Sequence, residues 1–197
     1  MTGLHPTYPL RTERLDLRAH RQDDLDDLLA FHSNPDIVRY VPWPVRDREQ
    51  TRVALEAKLT QDRLTEEGQW LVLAIELRET GTVIGEVLLK WASEASRQGE
   101  IGYALHADYH GKGYASEAAR EILRLGFEEL GLHRIVAVLD DRNTASAQLL
   151  ERLGMRREAH LLQALWFKDE WSNELVYALL KDEWLSGRSG SAASDQG

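Results

Sequence analysis

The run from Glu100 to Ala118 restricts what this chain can fold into more than any other segment. Glu100-Ile101-Gly102-Tyr103 reads as a strand, and His110-Gly111-Lys112-Gly113 is a turn almost without side-chain bulk that opens straight into a helix. In that helix Ala115, Ala118, Ala119, Ile122, Gly126 and Leu130 share one face, and Gly131 ends it. Backbone N–H groups at such a junction lack intrahelical acceptors, and the helix dipole adds partial positive charge, so a pyrophosphate is an apt ligand. Lys112 adds a full charge. A bare Gly-x-Gly more often means only a tight turn with unusual backbone angles. Two familiar phosphate loops are set aside: Gly-x-Gly-x-x-Gly fails at Ser116, and the Walker spacing with its Lys-Ser/Thr pair is absent.

The elements around this junction alternate in type. Arg14 to Arg18 alternates as a half-buried strand, and Asp23 to Ser33 repeats leucines at helical spacing until Asn34-Pro35. Tyr40-Val41-Pro42-Trp43-Pro44 reads as a loop, after which Asp47 caps a helix expected to reach about Glu66. Trp70 to Leu77, Thr82 to Trp91 and Glu100 to Leu105 read as three successive antiparallel strands. Arg134 to Leu139 is an apolar strand, Thr144 to Leu153 an amphipathic helix closed by Gly154, and Arg157 to Trp166 and Asn173 to Leu180 are two further strands. The expected class is mixed α/β, one domain over residues 1–185. Residues 186–197, mostly Ser, Gly and Ala, are expected to form a disordered tail.

Composition narrows the chemistry. With 197 residues, 43% of them hydrophobic, the chain can build one sizeable core. No stretch is long and apolar enough for a bilayer, and residues 1–11 lack the apolar centre of a signal peptide, so a cytoplasmic protein without a membrane partner is expected. There is no cysteine, which excludes disulfides and a cysteinyl intermediate. A formal net charge of -9 argues against nucleic acid as the main partner and suits a cationic acceptor. The seven histidines show no ligand spacing, so no metal is expected.

A second constellation, Asp140-Asp141-Arg142-Asn143-Thr144-Ala145-Ser146, follows the apolar strand and opens the next helix. Asn143 and Ser146 share a face of its first turn; an ordinary N-cap with a solvated serine accounts for them equally well.

Together these segments resemble the GNAT superfamily of N-acetyltransferases. Gly113 and Ala115 occupy the last two defined places of its motif A, Gln/Arg-x-x-Gly-x-Gly/Ala, within Gly-Lys-Gly-Tyr-Ala-x-Glu-Ala, and His110 stands where Gln or Arg is usual. Asn143-x-x-Ser146 with Leu153-Gly154-Met155, and Thr12-Glu13-Arg14-Leu15-x-Leu17-Arg18, look like the subgroup that acetylates N-termini of ribosomal proteins and its small-molecule relatives. The likeness runs from about Leu10 to Leu180. It implies a mostly antiparallel sheet splayed between its fourth and fifth strands, with acetyl-CoA in the split. Cosubstrate contacts are implied at Tyr103, Leu105, His110, Gly111, Lys112, Gly113, Tyr114, Ala115 and Asn143. The resemblance also implies that Ser146 protonates the departing thiolate, because Leu150 stands where many relatives carry a tyrosine.

An amine attacks only as a free base, so a proton acceptor is needed. Glu100 is the first candidate, with Glu158 and Glu174 as reserves; as an exposed strand-end acid it has an equally ordinary explanation. A backbone N–H near Tyr103 or Leu105 is the natural oxyanion donor. Trp43, Trp166 and Trp171 are candidates for lining the acceptor pocket, although large aromatics most often serve the core. His106 and His110 rank second. The expected reaction is direct transfer in a ternary complex to a peptide, protein or small-molecule amine, and the rival from another class is a non-catalytic acyl-CoA sensor. Exposed strand edges could support a homodimer, but nothing in the sequence requires one.

Overall fold

A computed structural model describes residues 2–193 of the chain. A two-residue strand, β1 (Leu10–Arg11), pairs antiparallel with β2 (Leu15–Ala19), where Leu15 and Leu17 point into the core. Helix α1 (Leu25–His32) is followed by the short α2 (Pro35–Val38), whose N-cap Asn34 accepts from the Asp36 N–H. Asp47 caps α3 (Arg48–Lys58) through a reciprocal capping box with Gln50. This helix ends eight residues before the expected Glu66. Beyond it the backbone pairs elsewhere, because Leu64 exchanges two hydrogen bonds with Leu4 and Gln61 O accepts from Val72 N–H. Tertiary pairing outweighs the local helical pattern there.

Strands β3 (Trp70–Leu77), β4 (Thr82–Ser93) and β5 (Gln98–Leu105) form the expected antiparallel meander. The glycine turn then leads into α4 (Tyr114–Arg124), whose last turn widens over Leu125–Glu129 before Gly131. Strand β6 (Arg134–Asp140), helix α5 (Thr144–Arg152), and the hairpin of β7 (Arg156–Phe167) and β8 (Glu170–Leu180) follow. The eight strands lie in the order β1-β2-β3-β4-β5-β6-β8-β7, and the β5–β6 pair is parallel where its neighbours are antiparallel. The fourth and fifth strands of the sequence reading are β5 and β6, because β1 is too short to show an alternation. Only Gln98, Gly99 and Glu100 find partners on β6, at Arg134, Ile135 and Val136, and beyond them the two strands separate.

The sheet has an apolar layer on each face. On one, α4 and α5 cover Leu17, Leu73, Ile75, Ile101, Ile135 and Tyr177; on the other, α1 and α3 enclose Leu28, Phe31, Leu55 and Ala104. Helix α6 (Lys181–Ala193) closes the chain, so residues 186–193 continue a helix where a tail was expected, and 194–197 lie outside the described residues. Trp184 anchors that helix: its ring stacks on Phe127 at 6.0 Å and its Nε1–H donates to Glu128. Among the described residues no helix is long and apolar enough to cross a membrane. Trp184→Ala is expected to cost about 3–5 kcal/mol, the range for deleting a buried aromatic, and urea unfolding would measure it.

Candidate active site

The site grows from the separation of β5 and β6. His106 N–H donates to Ile84 O of β4, so by the alternation of the pleat Tyr103 and Leu105 turn their backbone groups the other way, into the gap. His110 stands at its far end and donates from Nε2 to Leu105 O at 3.0 Å. In the turn that follows, Gly111 and Gly113 have φ of +73° and +83°, a region in which a side chain is strained. The first backbone N–H of α4 to find an acceptor is that of Glu117, bonded to Gly113 O. The six preceding N–H groups, residues 111–116, have no acceptor among the described residues, and no side chain caps the helix. Six donors without acceptors among the described residues, a helix N-terminus and Lys112 suit this open end of the gap to an anion.

Opposite, α5 presents the second constellation. Asn143 Oδ1 accepts from Ser146 N–H at 3.1 Å, which satisfies the helix end and fixes the serine. The Ser146 hydroxyl meets the Tyr103 hydroxyl at 2.7 Å, bridging from α5 to β5. Burial pushes the Tyr103 phenol up to about 12, against the opposing pull of Ser146, so it stays protonated at neutral pH. Asp140, just before the turn, is held below the usual carboxylate range by Arg142, with Ser172 adding a 2.9 Å bond. The Tyr103 side chain is a site group that the sequence reading missed, since it used that residue only for its backbone. The odd positions of β5 lie on the face that α4 and α5 cover, but that facing is set by tertiary packing.

Glu100 lies on the other face of the sheet, half-buried, beside Lys90 of β4 and within the field of Glu174. Burial raises its carboxyl above the usual value, Lys90 opposes this, and Glu174 adds to it. Glu158, by contrast, is committed to Arg134 and Arg156 and is lowered to about 2, chiefly by Arg134. Val138 is 41% exposed on the same face as Glu100, where a tightly paired sheet would bury it. The loop after α2 and the tip of the β7–β8 hairpin meet across this face: Lys168 donates to Val38 O, and Val38, Pro44, Val45 and Phe167 line a cleft of about 300 Å³. Trp166 and Trp171 stack edge to face at 5.4 Å on the hairpin, both more than half exposed. Trp43 turns away from them, toward His32 at 5.5 Å and the cations of Arg46 and Lys58.

Beneath Trp43 lies a polar cluster that the sequence reading also missed. Glu86 is 1% exposed, opposite Ala104 on β5, with Lys58 Nζ 2.7 Å from its Oε2. Burial raises the Glu86 carboxyl, but Lys58 and the two neighbouring histidines outweigh it and hold it low. His20 and His32 are buried beside it, with His20 Nδ1 3.5 Å from Asp24 Oδ2 and His32 Nδ1 3.5 Å from Arg46 Nη1. The available signal was a charge inside the apolar run Val83 to Leu89. Burial lowers His32 from 6.5 to about 4, partly offset by Glu86. Because the native pKa lies below the unfolded one, the unfolded chain binds the extra proton between these values. Stability is therefore full above about pH 6.5 and falls toward pH 4, by on the order of 2–3 kcal/mol from this residue. Urea unfolding at several pH values should show that slope, and His32→Gln should flatten it.

Comparisons with known proteins bear on the family and the fold. A family model described as an acetyltransferase (GNAT) domain matches residues 14–156. The chain is 32% identical over 176 residues to an uncharacterized N-acetyltransferase, YnaD, of Bacillus subtilis, covering 89% of this chain and 98% of that one. It is 31% identical over 88 residues to the ribosomal protein uS5-alanine N-acetyltransferase of Escherichia coli, covering 45% of each. The crystal structure of a GNAT-family acetyltransferase from Bacillus anthracis superposes with a TM-score of 0.78 at 30% identity, covering 87% of this chain and 98% of that one.

Proposed function

The chain belongs to the GNAT family of acetyltransferases and is an acyltransferase, and from that premise we propose that it transfers acetyl from acetyl-CoA to the N-terminal amine of a protein or peptide. The observation that carries the cosubstrate is the run of six backbone N–H groups, 111–116, without acceptors at the open end of the β5–β6 gap. A pyrophosphate there would meet those donors and Lys112, and the pantetheine arm would run between the strands past Asn143 toward Tyr103. The uS5-alanine N-acetyltransferase similarity supports a protein acceptor. So does the open face with exposed Val138, which suits an extended segment better than a closed pocket.

In this reading the acceptor ammonium gives one proton to Glu100, whose raised pKa makes it a better base than an ordinary carboxylate. The free amine attacks the thioester carbonyl, forming the C–N bond, and a backbone N–H at Tyr103 or Leu105 holds the oxyanion. As the C–S bond breaks, Ser146 protonates the thiolate. The Tyr103 hydroxyl, 2.7 Å from Ser146 Oγ, fixes the serine side chain for that step. The second nitrogen proton goes to solvent, solvent reprotonates the serine, and Glu100 gives its proton to solvent, so one proton is released per amide formed. No acetyl-enzyme is required, since the chain has no cysteine and the amine reaches the thioester directly.

The test is thiol release from acetyl-CoA with peptides carrying free or blocked N-termini and with polyamines. Free N-termini alone should support turnover, and Ser146→Ala should lower kcat about 100-fold, the usual contribution of a general acid. Glu100→Gln should be similarly slow at pH 7 and recover above about pH 8, where an N-terminal amine is already neutral. Turnover confined to polyamines would overturn the acceptor assignment, and acetyl-CoA binding without turnover on any amine would favour a sensor.

A further inference from the structure

Arg14 lies at the foot of β2, outside the gap, yet it reaches three residues of the glycine turn and the first turn of α4. Its Nη1 donates to Lys112 O at 2.9 Å, its Nε donates to Glu117 Oε2 at 2.8 Å, and its guanidinium lies 4.4 Å over the Tyr114 ring. Glu117 is held in turn by the Arg14 backbone N–H at 2.8 Å and the Thr12 hydroxyl at 2.5 Å. Burial would raise the Glu117 carboxyl, but these bonds outweigh it and keep it ionised. Gly113 makes room for the arrangement, since a Cβ there would stand 3.3 Å from Arg14 Nη2.

A trans peptide points its C=O and N–H in opposite directions. Holding the Lys112 carbonyl on the Arg14 side therefore turns the Gly113 N–H to the other side, away from Arg14. Arg14 has a second effect. It neutralises a carboxylate that would otherwise stand in the first turn of α4 and repel an anion. We propose that Arg14, braced by Glu117 and Thr12, is a positioning residue that aims the N–H groups of the glycine turn at the pyrophosphate of acetyl-CoA. This rests on the assignment of that turn to the cosubstrate.

The experiment compares acetyl-CoA with S-acetyl-pantetheine, which carries the same thioester without the pyrophosphate. Wild type is expected to have a much lower KM for acetyl-CoA. Arg14→Met keeps an apolar stem against Tyr114 but loses the guanidinium fork, and should raise KM for acetyl-CoA at least about tenfold, the loss of one charge-assisted hydrogen bond, with kcat nearly unchanged. Its kcat/KM on S-acetyl-pantetheine should equal that of wild type. Arg14→Lys retains the charge facing Glu117 but lacks the planar fork that spans Glu117 and Lys112 O, and should show the same selective loss. Equal losses on both thioesters, or an unchanged KM for acetyl-CoA in both variants, would overturn the inference alone. A wild type indifferent to the pyrophosphate would overturn the assignment of the turn, and this inference with it.

Discussion

The parting of β5 from β6 after three residue pairs is the constraint on which the rest of the structure depends. The parallel pair joins two halves of a sheet that are otherwise antiparallel, and a crossover through α4 is the means by which the chain makes it. If the strands stayed paired to their ends, Tyr103 and Leu105 would spend their backbone groups on β6. Because they separate, a strip of backbone groups that β6 does not pair faces a gap flanked by two helix N-termini, with His110 taking up the Leu105 carbonyl. Val138 shows the cost on the β6 side, where a residue that pairing would cover is left 41% exposed.

The two helix N-termini beside the gap are finished differently. At α5 the Asn143 side chain satisfies the Ser146 N–H, so that end is closed and the serine hydroxyl is left to meet Tyr103. At α4 no side chain caps the helix, and Gly113 supplies a left-handed turn in place of a capping oxygen. The uncapped end costs little while it faces water, and it is suited to an anionic ligand for the same reason. Its conformation is set from behind by Arg14 and Glu117, whose opposite charges cancel and leave the backbone dipoles to act.

Across the sheet, the charges are arranged by depth. Glu86 is wholly buried and offset by Lys58, a costly arrangement whose loss on one side would strand a charge in the core. Glu100 is only half-buried, and its nearest cation, Lys90, is drawn partly to the Trp70 ring at 5.0 Å. Burial and Glu174 therefore prevail and raise it. Lys58 and the histidines hold one carboxyl low, whereas burial raises the other.

Elements of strong local pattern were legible in the sequence. The glycine turn with its helix, the meander from Trp70 to Leu105, the Asn143 cap and the closing hairpin all appear within a few residues of their expected bounds, because hydrophobic period and turn chemistry act over short range. The same short range explains the failures. The helix after Asp47 stops at Lys58 because Leu64 pairs with Leu4, and residues 186–193 continue a helix anchored by Trp184 although their composition reads as a tail. The sequence alone determined which residues could offer phosphate-binding backbone, a serine and a carboxylate. Only the tertiary structure decided that Tyr103 would meet Ser146, that Glu158 would be consumed by two arginines while Glu100 was not, and that Arg14 would reach the glycine turn. Those contacts join residues distant in the chain, and they exist only once sheet order and helix packing have brought them together.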